Sequence, residues 1–263
     1  MTFDGSSPLR EFEGTLDELE GTIAFLSAAT KLRPRLGSLF DWQYVQDDAQ
    51  GLVKNFIQQR QFDPTSYYRG LLVLLSGAFE HLVRRFVQEA IRSFNAVFPV
   101  FDELPEKIRN QNFIKTGRAF VRYCEPLDYI ALDHLKLAKN LASCEPGARQ
   151  YLLNDEVFSS SITNITPTHL FEILDVIGIE LKWDEFGGVQ PFEELLGTSG
   201  ARETGKAVAR KLGDLIRLRN TFAHVGAGGL AVSDGNVIEF TKFLRILSRE
   251  LHGLFRRRFE EAI

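Results

Sequence analysis

Tyr67-Tyr-Arg-Gly-Leu-Leu-Val-Leu-Leu-Ser-Gly-Ala-Phe-Glu-His-Leu-Val-Arg-Arg-Phe86 has the period of a buried helix. Leu71, Leu72, Leu75, Phe79, Leu82, Val83 and Phe86 recur at three- and four-residue steps. That spacing lines one side of an α-helix, whereas a strand would alternate. Asp63-Pro64-Thr65 opens the helix, because proline's fixed φ and missing N–H suit a first turn. The run predicts a helix from Pro64 to about Phe94, the longest in the chain.

The same period extends to both sides. Residues 8–30 predict a helix with Leu16, Leu19, Ile23 and Leu26 on one face, and residues 38–60 another, with Phe40, Tyr44, Val53 and Phe56 apolar. Phe98-Pro99 and Leu104-Pro105 break the chain, and helices are expected at 105–123 and 128–142, parted at Pro126. Glu145-Pro146-Gly147 is a turn, Thr166-Pro167 starts a helix that ends near Gly178, and Trp183 to Gly188 reads as a loop. A helix at 203–224 stops at Gly226, Gly228 and Gly229. Ser233-Asp-Gly-Asn236 is a turn signal suited to a small hairpin near 230–238. A last helix at 237–261 turns Phe240, Phe243, Leu244, Leu247, Leu251, Leu254 and Phe255 inward. The fold class is all-α, a multi-helix bundle. Residues 1–63 form an N-terminal helical extension that can complete the bundle, and 64–263 the main helical domain.

The 263 residues, 44% of them apolar, can fill a substantial core. No basic segment with an apolar stretch behind it opens the chain, so no secretory signal is expected. The longest apolar run, Leu71 to Leu75, is far short of the ~20 residues that span a bilayer. The expected location is the cytoplasm, with no membrane partner. Cys124 and Cys144 lack metal-ligand spacing and read as two free thiols. A net charge of −4 argues against a protein that coats nucleic acid. The charge is uneven, however: residues 201–263 hold twelve Lys/Arg against seven acids, and residues 1–30 six acids against one Arg.

That basic third contains Leu215-Ile-Arg-Leu-Arg-Asn-Thr-Phe-Ala-His-Val-Gly226. Arg219, Asn220 and His224 bring a permanent cation, an amide and a titratable imidazole into six residues. A loose Arg-to-His spacing of this kind is expected about once by chance, and Arg245 with His252 supplies a second instance. Arg-Asn-x-x-x-His is expected only about 0.01 times from the composition. Arg219 also interrupts the apolar stripe Val208, Leu212, Leu215 and Phe222. A buried guanidinium is costly without a partner. It must find an acid, line a wet cleft or face another subunit. Asn220 and His224 share a helix face, whereas Arg219 and His224 diverge by about 140° on a straight helix. The long Arg219 side chain curls round, or the helix ends early, or two copies of the motif combine.

The motif, with Ala223 before the His and Gly226 close behind, resembles the signature of HEPN domains, helical bundles many of which are ribonucleases. Val225 before Gly226 is a minor departure. Tyr67 to Phe86 is similar to an early helix of that bundle, and Asn164 to Gly178 to the helix before the catalytic one. Together they resemble the HEPN branch found with RNA ligase and phosphatase-like partners in bacterial conflict systems, from about Pro64 to the C-terminus.

The resemblance implies an endoribonuclease that uses no metal and no cofactor, acting as a toxin or antiphage effector. It implies a homodimer with a composite cleft and an antitoxin or sensor partner. The RNA 2′-OH would attack the adjacent phosphorus, leaving a 2′,3′-cyclic phosphate and a 5′-OH. His224, with an ordinary pKa near 6.5, would transfer protons; Arg219 would stabilise phosphoryl charge, and Asn220 would orient the imidazole. Glu80 is either a helix partner of Arg84 or an acid behind the site that holds Arg219 or His224. Arg210, Lys211 and Arg217 are candidate RNA contacts. The rival reading is a non-catalytic HEPN module that binds RNA, a nucleotide or a partner protein.

Overall fold

A computed structural model describes the backbone of residues 5–39, 47–58, 64–123, 132–225 and 231–261. Side chains bordering several of the gaps, His224 among them, lie outside the described set, as do Phe40, Tyr44, Cys124 and Pro126. The elements are α1 (Ser6–Leu39), α2 (Asp47–Gln58), α3 (Pro64–Val97), α4 (Glu106–Tyr123), α5 (His134–Ser143), α6 (Asp155–Ser159), α7 (Pro167–Val176), α8 (Gln190–Leu196), α9 (Ala201–Val225) and α10 (Asp234–Glu261). Short 3₁₀ turns occupy Phe101–Glu103 and Trp183–Phe186. Among the described residues there is no strand, and no helix is long and apolar enough to cross a membrane.

The apolar face that predicted α3 is the spine of the bundle. Leu72, Leu75, Phe79 and Phe86 are fully buried, and α1, α6, α9 and α10 pack along the helix. Phe79 meets Phe12 of α1 at 6.3 Å between ring centroids, Phe86 meets Phe255 of α10 at 5.4 Å, and Phe94 meets Phe259 at 4.9 Å. Truncating such a ring to Ala costs about 3–5 kcal/mol. From α1, Phe12, Leu16, Leu19, Ile23 and Leu26 enter this core.

α9 is set in place by a close backbone approach. A Cβ at Gly205 would stand 2.4 Å from the Trp183 carbonyl oxygen, so only glycine lets α9 rest on the 3₁₀ turn. Aromatic contacts then run from Phe171 through Trp183, Phe186 and Phe192 to Phe243 of α10, at 4.5, 5.5, 6.3 and 5.9 Å.

Four local expectations are corrected. No hairpin forms in the described part of 230–238. Ser233 caps α10 instead: its Oγ accepts the Asn236 N–H at 3.2 Å, and Asn236 Oδ1 accepts the Ser233 N–H at 3.0 Å. The turn residues are therefore a reciprocal cap, and α10 begins three residues earlier than the 237 expected. α1 continues through Pro34 to Leu39, past its last core residue Leu26. Trp183 to Phe186 is a 3₁₀ turn rather than a loop. The five-residue α6 and seven-residue α8 were not expected, because neither is long enough to show a period.

Candidate active site

α9 is unbroken through Val225, so the helix does not end ahead of the motif. Val208, Leu212, Leu215 and Ile216 are buried, while Arg219, Asn220 and Phe222 are half-buried at the edge of the core. Arg219 bridges two elements from there. Its Nη1 donates to Asn220 Oδ1 at 3.0 Å and to Asn164 Oδ1 at 2.6 Å. The long side chain thus bends towards the helix face that Asn220 shares with position 224. The His224 backbone lies within α9, and its imidazole is outside the described set.

Asn164 is the residue that the sequence reading missed. It precedes α7 with φ of +49°, a left-handed conformation that asparagine tolerates better than most residues. Its own N–H donates to Glu80 Oε1 at 2.7 Å. Glu80 is therefore neither the helix partner of Arg84 nor a direct ligand of Arg219. It holds the residue that holds Arg219. Arg84 reaches across too, its Nε donating to the Ile162 carbonyl at 2.7 Å. Gln88 donates to Ser159 Oγ at 2.9 Å, and Arg92 pairs with Asp155 at 2.6 Å. Positions 80, 84, 88 and 92 lie one turn apart on α3 and fasten the segment from Asp155 to Asn164 like a row of rivets. The upper end of that row is the Arg219 contact.

The charge on Arg219 is met by no carboxylate within 4 Å among the described residues; both acceptors are neutral amides. Its Nε is buried, with no hydrogen-bond partner among those residues. Nearby, the Arg69 guanidinium lies 5.6 Å over the Phe222 ring.

The other arginine and histidine pair has a different environment. Arg245 donates to Asp17 at 2.8 Å and lies 3.2 Å from Glu20. Burial works against its charge, but the two carboxylates outweigh burial and hold its pKa above the ordinary value. His252 packs against the Phe86 ring at 5.9 Å.

Of the expected RNA contacts, Arg217 is exposed and bonded to Asp214 at 2.6 Å, and Arg210 is exposed. Lys211 is corrected: its ammonium meets Glu239 and lies 4.5 Å over the Phe240 ring, so it fastens α9 to α10. Cys144 is buried, and burial pushes its thiol pKa up, away from the reactive thiolate.

No curated protein and no solved structure matches the chain. The model of the RiboL-PSP-HEPN family matches residues 42–256, a span that includes α3, the Asn164 turn and the whole of α9. It begins ahead of the Pro64 at which the sequence resemblance started and covers most of the chain. The chain belongs to the RiboL-PSP-HEPN family.

Proposed function

We propose that this protein is an endoribonuclease in which Arg219, Asn220 and His224 carry out transesterification at phosphorus without a metal ion. The observation that carries the reading is an arginine fixed in place by neutral oxygens. Two amides orient the Arg219 guanidinium, and no carboxylate among the described residues meets its charge, as a group awaiting an anion requires. The reading gives each residue one task. His224 takes the 2′-OH proton or returns one to the 5′-oxygen, Arg219 faces the phosphoryl oxygens as charge builds, and Asn220 links the arginine to the imidazole's helix face. The products are a 2′,3′-cyclic phosphate and a 5′-OH, and DNA, lacking the nucleophile, is not cut. Two copies facing across their α9 helices would form the working cleft, with release from an antitoxin or sensor as the control. The biological task we assign is that of a toxin or antiphage effector in the cytoplasm. The helix α1 we read as completing the bundle, because its inner face enters the same core as α3 and α10.

The test is RNA cleavage in EDTA by wild type, Arg219→Ala and His224→Ala, with end-group analysis of the products. Cyclic-phosphate ends from wild type and loss of cleavage in both variants are expected. A folded wild type that leaves every RNA intact but binds it would instead make the chain a binding module.

A further inference from the structure

α9 carries a second basic feature, one that the sequence reading touched only at Arg210. Arg202, Lys206 and Arg210 recur every fourth residue, so they stack on one face at steps of about 6 Å. All three are exposed, and with Thr198, Glu203 and Ala207 they line an open groove of about 520 Å³. None has an ion-pair partner within 4 Å among the described residues. Elsewhere in the molecule, Arg92, Lys107, Lys136, Lys211, Arg245 and Arg258 each meet a carboxylate. Cations that pair internally fasten helices together; these three fasten nothing.

The register of the ridge connects it to the motif. Counting 100° per residue, Arg202, Lys206, Arg210, Arg217, Asn220 and position 224 fall within an arc of about 80°. Lys211 lies on the opposite side of the helix, consistent with its contacts to α10. Gly213 falls inside the arc where Pro167 of α7 comes alongside the helix, 3.7 Å from where a Cβ would stand. From position 202 to 224 the arc runs about 33 Å, long enough for several nucleotides of extended strand. The acids on this side, Glu203 and Asp214, are outnumbered, and the exposed Arg217–Asp214 pair is of a kind worth at most about 1 kcal/mol.

We propose that the Arg202–Lys206–Arg210 groove binds the phosphate backbone of single-stranded RNA and feeds the strand along α9 to the motif. The link to cleavage rests on the ribonuclease reading; binding by the groove does not. Cations at about 6 Å steps along a straight ridge suit a single sugar-phosphate chain, and they neutralise phosphates irrespective of sequence.

The test uses the full chain carrying His224→Ala, so that RNA is retained. Arg202→Gln, Lys206→Gln and Arg210→Gln are added together, and binding to a single-stranded RNA of about 20 nucleotides is followed against salt. The triple variant should bind at least about tenfold more weakly at low salt, with a log–log salt slope shallower by about 2. A charge-matched control on α10, Arg249→Gln with Arg256→Gln and Arg257→Gln, should change the slope far less. In the wild-type background the triple variant should raise KM for long RNA more than for a trinucleotide. Equal affinity and slope in the triple variant and its parent would overturn the groove while leaving cleavage by the motif intact. Loss of binding in the triple variant, with wild type inert as a nuclease, would keep the groove and remove the catalytic reading. A control that weakens binding as much as the triple variant would reduce the effect to net charge and overturn the proposal.

Discussion

Arg219 and Arg245 are followed within seven residues by a histidine, and each sits partly buried on a long helix of the bundle. Arg245 lies between Asp17 and Glu20, and its charge is used to attach α10 to α1. Arg219 lies between the amides of Asn164 and Asn220, which fix its direction without cancelling its charge. One arginine is a structural cation, and the other is an aimed one. The identity of the acceptor separates them, and a motif pattern cannot see an acceptor 55 residues away.

The comparison can be tested in order of expected effect. Arg219→Ala and His224→Ala should each lower the rate of RNA cleavage by about 10²–10⁴-fold. Arg245→Gln and His252→Ala should leave the rate per folded molecule unchanged, and equal losses from both pairs would abolish the distinction. Asn164→Asp should make Arg219 resemble Arg245 by placing a carboxylate where a neutral oxygen now accepts. A fall in kcat/KM of about tenfold, or about 1.4 kcal/mol, is expected in single-turnover kinetics. An unchanged rate would mean that the free charge is not what the site uses. Chemical denaturation should show Arg245→Gln costing about 0.2–1 kcal/mol, since its partner Asp17 is largely exposed. The smallest effect should come from Glu80→Gln, which keeps an oxygen for the Asn164 N–H, whereas Glu80→Leu should cost about 1–3 kcal/mol.

What could be read beforehand divides along the same line. α3, α9 and α10 are long and strongly periodic, and the core faces expected of them are the faces that are buried. Arg219 was conspicuous because it broke such a face. Asn164 was invisible, because a left-handed asparagine ahead of a helix looks like any other turn residue, and its value comes from what folds against it. The signal that could have found it is Glu80: an acid on an otherwise apolar face needs a donor, and the Asn164 N–H supplies it. Lys211 follows Arg210 in sequence, but one residue on turns it about 100° round the helix, over α10. Arg202 and Lys206 carry no signal in the sequence, because cations without an ion pair among the described residues stand out only once the paired ones are known.

The row of contacts from α3 to the Asn164 turn has a consequence for how the protein is made. Its members come from segments 84 and 55 residues apart. A ribosome delivers such a chain at about 5–20 residues per second, N-terminus first. When α3 and the turn have both been translated, Arg219 has not. A nascent or truncated chain ending before α9 contains the Glu80–Asn164 support without the arginine it holds. Any activity that depends on Arg219 therefore waits until α9 has been translated, and the order of the helices along the gene acts as its clock.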